Sequence, residues 1–193
     1  MSQNIKNMDL NLEEINGNEI IDFLNKFTSE YNERSGLNFR VVFEFDEEVF
    51  IDSEGHYIKA FILANDELLR DLFDNLIDNA VKHAFSNESN NRIEIFLMKN
   101  TDLDDNDEVQ ILFSNTGTPF PKDFTFNDFI RKGSKFGVNA GDGFGGWYII
   151  EIIKRLKGDF DIIDETGSEG LPGTDLATSF EINFPIIEIE ENV

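Results

Sequence analysis

The sequence predicts a single α/β domain in which amphipathic helices alternate with short apolar strands. Its length of 193 residues suits one domain rather than two. Hydrophobic residues make up 40% of the chain, which also contains 14 glycines. Together these residues reach the share that is usual for globular proteins, so the chain can bury a core. Hydrophobic side chains recur with helical spacing in some segments and form dense runs of Val, Ile and Phe in others.

Helices are predicted where apolar residues are spaced three and four apart, and strands where they form short runs. The predicted helices cover residues 19–31, 66–85 and 147–157. The predicted strands cover residues 39–45, 57–63, 92–99, 109–115, 160–163 and 178–184. The first two strands suggest a sheet edge. Asn65 and Asp66 are cap candidates for the second helix. Gly158 is expected to end the third helix. The domain is expected to span residues 1–187, followed by an acidic tail at 188–193.

The chain is strongly acidic and contains no cysteine. It has 16 Lys and Arg residues and 39 Asp and Glu residues, which gives a formal net charge of −23. We therefore expect no nucleic acid and no anionic membrane surface as a partner, because both are negatively charged. The lack of cysteine excludes disulfides and thiolate sites. The first residues show no leader pattern and no apolar run of about eighteen residues occurs, so we expect a cytoplasmic protein without direct membrane insertion.

The second predicted helix carries a polar stripe on one face. Asn75, Asn79 and Lys82 are spaced four and three residues apart and therefore lie on one side. Apolar residues occupy the opposite arc: Leu69, Leu72, Phe73, Leu76, Ala80 and Ala84. Two amides offer neutral oxygens to a hard cation, and an ammonium one turn further on can meet an anion carried by that cation. This arrangement suits a magnesium nucleotide, although an ordinary solvent-facing surface would show the same pattern.

A glycine-rich segment precedes the third predicted helix. Residues 141–146 read Gly-Asp-Gly-Phe-Gly-Gly and match the pattern GxGxxG. Glycines let backbone N–H groups approach phosphate oxygens, and a helix N-terminus adds partial positive charge, so a phosphate chain can bind to an acidic protein. A dinucleotide-binding fold would need a buried strand just upstream, but residues 132–140 are polar and interrupted by glycine. A P-loop is excluded as well, because no GxxxxGK[ST] occurs.

A polar turn follows the predicted strand at 109–115. Residues 113–119 read Phe-Ser-Asn-Thr-Gly-Thr-Pro. The amide of Asn115 can pair with the edge of a base. Ordinary turn chemistry is the alternative, since Asn-Thr-Gly commonly closes a strand.

The order and spacing of these motifs resemble the GHKL superfamily of ATP-binding domains, which includes sensor histidine kinases, type II topoisomerases and MutL. The N, G1, F and G2 boxes of the superfamily resemble residues 75–84, 114–119, 124–129 and 141–146, respectively. Residues 177–185 resemble its final strand, and residues 10–45 are similar to the opening of histidine kinase catalytic domains. Several motifs in the same order are far more specific than any one of them.

The resemblance implies an α/β two-layer sandwich of the Bergerat type, with a mixed β-sheet and helices on one face. It implies ATP and Mg²⁺ as cofactors. Asn79 would be the magnesium ligand with Asn75 beside it, and Lys82 would reach the phosphates. The other nucleotide-binding residues that it implies are His83, Asn115, Gly117, Lys132, Lys135, Gly141, Gly143, Gly145 and Thr178. Among these, Asn115 stands where the family has the Asp that reads adenine, and the two lysines belong to the lid.

The residue at position 75 separates the subfamilies of this resemblance. Members that hydrolyse ATP, and the anti-sigma serine kinases, usually have Glu there as a general base, whereas this chain has Asn75. An amide cannot accept a proton at neutral pH, so the resemblance implies phosphotransfer to an already nucleophilic imidazole, with Asn75 and Lys82 as catalytic residues. The implied protein is the ATP-binding domain of a two-component sensor histidine kinase. A non-catalytic GHKL nucleotide-binding regulator and an anti-sigma-factor-type serine kinase are the alternatives.

The chain departs from the family pattern at five positions. Because of these departures, two interpretations stay open: an active kinase and a non-catalytic domain. These residues are Asn115, Pro119, Gly146, Trp147 and Ala177. Residues 118–140 correspond to the lid and contain few apolar anchors apart from four phenylalanines. We therefore expect the stretch at 124–129 to pack against the domain only when nucleotide binds.

Phosphotransfer would require partners that supply the acceptor. The chain has two histidines, His56 and His83, and neither lies in a sequence typical of a phosphoacceptor helix. The resemblance therefore implies dimerisation helices that carry a phosphoacceptor His, on a missing or separate part of the protein. A response regulator receiver domain would act downstream.

Overall fold

The computed structural model describes residues 12–46, 60–86, 90–101, 106–133, 143–163 and 175–188. Its elements, in chain order, are β1 (Glu13–Asn16), α1 (Gly17–Glu33), β2 (Phe39–Phe45), β3 (Ala60–Ala64), α2 (Asp66–Asn79), a π-turn (Ala80–Ala84), β4 (Asn91–Thr101), β5 (Asp107–Thr116), α3 (Phe126–Ile130), α4 (Gly145–Arg155), β6 (Asp159–Ile163), β7 (Leu176–Pro185) and β8 (Ile187–Glu188). Within these ranges, no helix is long and apolar enough to span a membrane.

The described strands form two sheets. A five-stranded sheet has the order β2-β4-β5-β7-β6, and a three-stranded sheet has the order β1-β3-β8. In the larger sheet β2 pairs with β4 in parallel, and the remaining pairs are antiparallel. The expected mixed sheet is thus confirmed. The expectation that the first two predicted strands share a sheet edge is wrong, because β2 is an edge strand of the larger sheet while β3 is the central strand of the smaller one.

Side-chain caps define where the two long helices begin. The Oδ1 atom of Asn16 accepts the N–H of Glu19, whose carboxylate in turn accepts the N–H of Asn16, a reciprocal capping box at the start of α1. Asn65 accepts the N–H groups of Glu67 and Leu68, which confirms it as the cap of α2. Both helices therefore begin at positions that local sequence determines.

The core lies between these helices and one face of the larger sheet. In β4, the residues Ile93, Ile95 and Leu97 are fully buried, whereas the alternate residues are only partly buried. This alternation is expected when a strand packs against helices on one side only. The six apolar residues predicted to line the opposite arc of the second helix are all buried.

Residues 120–129, the first part of the predicted lid, are better anchored than the sequence suggests. Phe120 and Phe124 stack with their ring centroids 4.4 Å apart. Phe129 in α3 is buried. Its ring centroid lies 5.7 Å from that of Phe160 in β6 and 5.3 Å from that of Phe180 in β7. The 124–129 stretch therefore packs against the sheet through rings from distant strands, contrary to the expectation that it packs only with nucleotide.

The end of the chain contributes to the smaller sheet. Ile187 and Glu188 form β8, and Glu188 is paired with Ala60 in β3. The predicted boundary between the domain and its acidic tail falls inside this strand. Residues 189–193 lie outside the described residues.

Candidate functional site

Asn79, the last residue of α2, lies against the first residue of α4. Its amide Nδ2 atom is buried and has no hydrogen-bond partner among the described residues. A Cβ atom built on Gly145 would lie 2.8 Å from the Asn79 Oδ1 atom, so only glycine leaves the amide undisturbed. A buried amide nitrogen without a partner is unusual in a folded protein, so this donor needs an explanation.

The start of α4 offers backbone donors beside this amide. Phe144 occupies the N-cap position and its side chain caps no N–H group. The first-turn N–H groups of a helix have no partner within the helix and carry partial positive charge. Gly143, just before the cap, has a positive φ of 72°, a conformation that favours glycine. The arrangement can receive an anion next to Asn79.

Asn75 lies one turn before Asn79 on α2 and is half-buried. Its Nδ2 atom donates to the backbone carbonyl of Asp71 at 2.6 Å. This bond uses the donor end of the amide and leaves the oxygen as the end that can serve a ligand. The predicted pairing of Asn75 and Asn79 on one side of the helix is therefore compatible with the structure.

Asp71 also ties α4 to α2. The hydroxyl of Tyr148 in α4 donates to Asp71 Oδ2 at 2.9 Å. Burial, and next the hydrogen bond to Asp71, raise the pKa of Tyr148 to about 12. The sequence patterns did not identify this bond, because it joins residues 77 positions apart and neither is part of the motifs.

The helix changes its geometry immediately after Asn79. The N–H of Phe85 donates to the carbonyl of Ala80 at 2.9 Å, an i to i+5 bond that defines the π-turn. The π-turn interrupts the regular α spacing on which the predicted polar stripe was based. Lys82 is exposed and its Nζ atom pairs with Asp78 Oδ2 at 2.7 Å, so the structure does not bring it against the other predicted site residues.

His83 follows Lys82 in the π-turn and has an exposed side chain. Partial desolvation lowers the pKa of the His83 imidazole, and the charge of Lys82 lowers it further. Both effects disfavour the protonated ring. The surroundings of His83 therefore favour the neutral ring over the imidazolium.

The end of β5 is joined to the end of the π-turn. The N–H of Thr118 donates to the carbonyl of Ala84 at 2.8 Å. Gly117 has a φ of 115°, and a Cβ atom there would overlap the same carbonyl oxygen. Two motifs that are far apart in the sequence therefore meet through a backbone contact that requires glycine.

Asn115 lies at the end of β5 and is 2% exposed. Its Nδ2 atom donates to the carbonyl of Thr116 at 3.0 Å, which leaves Oδ1 as the end that can accept from a ligand. Thr178, also buried, is its register partner on β7. The two predicted site residues are thus adjacent on neighbouring strands.

Lys132 contacts aromatic rings at the start of α4. Its Nζ atom lies 4.5 Å from the ring centroid of Trp147 and 5.6 Å from that of Phe144. The N–H of Gly133 donates to the carbonyl of Gly143 at 2.8 Å.

Two further predicted site residues, Lys135 and Gly141, lie outside the described residues.

Gly146 and Trp147, which depart from the family pattern, both lie against residues 129–132. A Cβ atom on Gly146 would overlap the carbonyl oxygen of Phe129, so the end of α3 approaches α4 at this glycine. The sequence indicated that these positions are unusual. It could not indicate which distant group they contact, because that depends on the tertiary fold.

Comparison of the chain with solved structures identifies the same fold in histidine kinases. A mycobacterial sensor histidine kinase, MprB, is 12% identical with a TM-score of 0.60, covering 92% of this chain and 99% of that one. The catalytic domain of the histidine kinase ThkA is 17% identical with a TM-score of 0.59, and the match covers 91% of this chain and 96% of that one. The ATP-binding domain of PrrB from Mycobacterium tuberculosis is 14% identical with a TM-score of 0.56, and the match covers 94% of this chain and 100% of that one.

Sequence comparison assigns the family. No curated protein sequence matched the chain. The family described as histidine kinase-, DNA gyrase B-, and HSP90-like ATPase matches residues 64–186, which include the candidate site and most of the larger sheet. The chain therefore belongs to the histidine kinase-, DNA gyrase B-, and HSP90-like ATPase family.

Proposed function

We propose that the chain binds Mg–ATP and serves as the catalytic domain of a two-component sensor histidine kinase. The contact between Asn79 and Gly145 is the observation that carries this proposal. It places the amide of Asn79, whose buried Nδ2 atom has no hydrogen-bond partner among the described residues, beside the start of α4, where no side chain caps the N–H groups. A neutral oxygen ligand and a set of N–H donors at one place fit a metal ion together with the phosphates that accompany it.

The residues present fit a magnesium ion. Mg²⁺ prefers oxygen ligands and usually binds through few protein groups together with substrate phosphates. Asn79 would hold it through Oδ1, and Asn75, whose donor end is already bonded to Asp71, has its oxygen available one turn earlier. When bound, the ion would neutralise negative charge on the phosphates.

The phosphates need local positive charge in a chain whose net charge is −23. The N–H groups at the start of α4 supply it without a charged side chain. Gly143 and Gly145 let the phosphates approach this backbone closely, and Lys132 adds an ammonium group nearby. Lys135 and Gly141 remain proposed members of the same site.

The adenine base is proposed to lie near the ends of β5 and β7. Asn115 Oδ1 would accept a hydrogen bond from the exocyclic amine, since Nδ2 is committed to the carbonyl of Thr116. Thr178 is adjacent on β7, and Gly117 closes the turn against the π-turn that carries His83. A neutral His83 ring could approach the nucleotide without bringing a further charge.

The proposed reaction transfers the γ-phosphoryl group to a histidine outside this chain. A nitrogen of the acceptor imidazole forms a bond to the γ-phosphorus while the bond to the β,γ-bridging oxygen breaks, and ADP leaves. No base is needed on this domain, because a neutral imidazole is nucleophilic without losing a proton first. This matches an amide rather than a carboxylate at Asn75.

A two-part experiment tests the proposal. Calorimetry should detect Mg-dependent binding of ATP to the chain, and binding should be lost in Asn79→Ala. Asn25→Ala, an exposed asparagine on α1, is the matched control and should bind like the wild type. Phosphotransfer is then measured with dimerisation helices from the same genomic neighbourhood.

The outcomes separate the proposed kinase from its alternatives. Transfer to a histidine of the helices, followed by transfer to a receiver domain, supports the kinase. Binding without transfer to histidine indicates a non-catalytic nucleotide-binding regulator, and phosphorylation of serine in a partner indicates a serine kinase. Unchanged Mg–ATP binding by folded Asn79→Ala would contradict the proposed site.

A further inference from the structure

Three contacts fasten residues 129–133, the end of α3 and the turn after it, to the beginning of α4. The N–H of Gly133 donates to the carbonyl of Gly143 at 2.8 Å. The carbonyl of Phe129 lies where a side chain on Gly146 would be. Lys132 Nζ lies 4.5 Å from the centroid of the Trp147 ring. The contacts come from a backbone hydrogen bond, a close backbone approach and a side-chain pair, so the placement of the turn does not depend on a single interaction.

The contact between Lys132 and Trp147 lies within the range of a cation–π interaction, about 6 Å from ammonium to ring centroid. Phe144 is a second ring within that range, at 5.6 Å. The Lys132 side chain therefore spans the N-cap residue of α4 and a residue of its first turn. This position is beside the start of α4, where the phosphates are proposed to bind.

The uncharged ring leaves the ammonium of Lys132 with its full charge. Two other lysines of this acidic chain pair with carboxylates: Lys82 with Asp78 at 2.7 Å and Lys99 with Asp107 at 2.5 Å. Among the described residues, Lys132 forms no ion pair with a carboxylate. A cation that is positioned by rings can still attract an anion strongly, whereas a cation paired with a carboxylate must first lose that partner.

We propose that Trp147 is a positioning residue that holds the ammonium of Lys132 ready for the terminal phosphates of ATP. The inference rests on the proposed function of the site. The long lysine side chain loses rotamer freedom when it binds a ligand, and a side chain already held in place loses less. Trp147 thereby strengthens phosphate binding without touching the nucleotide.

Calorimetry on four full-length proteins tests whether Trp147 acts through Lys132. The set is the wild type, Lys132→Met, Trp147→Leu and the double variant, each titrated with Mg–ATP. We expect Lys132→Met to raise Kd about tenfold and Trp147→Leu about two- to fivefold. In the Lys132→Met background, Trp147→Leu should have no further effect, because the ring then has no cation to hold. A purely structural role of Trp147 would persist in that background.

Tryptophan emission provides a second measurement, since Trp147 is the only tryptophan in the chain. Lys132→Met should change the emission of the free protein, and the change on adding Mg–ATP should be smaller in this variant than in the wild type. Lys154→Met removes an exposed charge near the other end of α4 and is the matched control, which should behave like the wild type. Trp147→Tyr keeps an aromatic face and should restore most of the affinity lost in Trp147→Leu.

The possible failures are distinguishable. If the wild type does not bind Mg–ATP, the proposed function and this inference are both wrong. If the wild type binds but the effects of Lys132→Met and Trp147→Leu simply add, the role of Trp147 alone is wrong. An emission spectrum that does not respond to Lys132→Met contradicts the contact itself, including when Trp147→Leu fails to fold.

Discussion

Gly145 and Asn79 are in such close contact that a methyl group on the glycine would come within 2.8 Å of the amide oxygen of the asparagine. The affected atom is at the far end of a side chain, which can rotate away. The substitution should therefore disturb the orientation of the amide rather than the fold. This separates an effect on ligand binding from an effect on stability.

Gly145→Ala should fold normally and lose most Mg-dependent binding of ATP. Alanine in place of glycine in a helix adds up to about 1 kcal/mol of stability, which offsets the cost of moving the amide. Calorimetry with and without Mg²⁺ measures the binding, and urea unfolding measures the stability. Binding equal to that of the wild type would show that the contact with Asn79 has no role in the site.

Gly146→Ala should have the opposite effect. Its new methyl group would overlap the backbone carbonyl of Phe129, which cannot rotate away as a side chain does. We expect the free energy of unfolding to fall by about 3 kcal/mol, the upper end of the cost of overpacking. Hydrogen exchange of the amides in α3 should also accelerate, because α3 would be displaced from α4. Stability equal to that of Gly145→Ala would contradict this prediction.

Asn115→Asp should separate stability from nucleotide affinity. The Nδ2 donor that now bonds the carbonyl of Thr116 would be replaced by a carboxylate oxygen, so the free energy of unfolding should fall by about 1–3 kcal/mol. Affinity for ATP should be kept, because an acceptor for the adenine amine remains. Asn115→Leu should lose affinity, and GTP should bind more weakly than ATP to the wild type. Equal affinity for the two nucleotides would contradict the proposed base site.

Tyr148 should make stability sensitive to alkaline pH. Its pKa is raised to about 12 in the folded protein, above the ordinary value of 10, so the folded state holds the phenolic proton more tightly than the unfolded state does. The stabilising contribution is present below pH 10 and is lost as the pH rises towards 12. In Tyr148→Phe, stability at pH 7 should fall by about 1 kcal/mol, and the decline above pH 10 should be shallower. An identical alkaline decline in both proteins would contradict the prediction.

The part of the fold that the sequence predicts is the part determined by local patterns. Apolar spacing and the Asn65 cap define α2, and the strand at Phe39–Phe45 has the predicted bounds. The π-turn was missed because its residues continue an α pattern, and the deviation accompanies a distant contact between Ala84 and the turn at Gly117. β1 and β8 were missed because they contain four and two residues, too few for a period to be evident.

The candidate site divides in the same way. Asn75 and Asn79 could be placed on one side of α2 because they lie within a regular helix. Two contacts of lysine side chains could not be predicted: the ion pair of Lys82 with Asp78 and the contact of Lys132 with Trp147. The partner of a flexible side chain depends on which groups the tertiary structure brings near. The same holds for Tyr148, whose acceptor lies on another helix.

The residue at position 75 should decide whether water competes with the acceptor histidine. The wild type should hydrolyse ATP very slowly, because the amide of Asn75 cannot take a proton from water. Asn75→Glu places a carboxylate one turn before Asn79 and should raise hydrolysis at least about tenfold, since a positioned general base contributes about 10²–10⁴ in favourable cases. Asn75→Gln is the matched control, with the same length and shape as Glu but no base, and should remain slow. Steady-state release of phosphate measures all three proteins, with calorimetry to establish that each binds Mg–ATP. Rapid hydrolysis by the wild type, or equal rates in the Gln and Glu variants, would show that activation of the nucleophile does not depend on residue 75 and would count against transfer to an external imidazole.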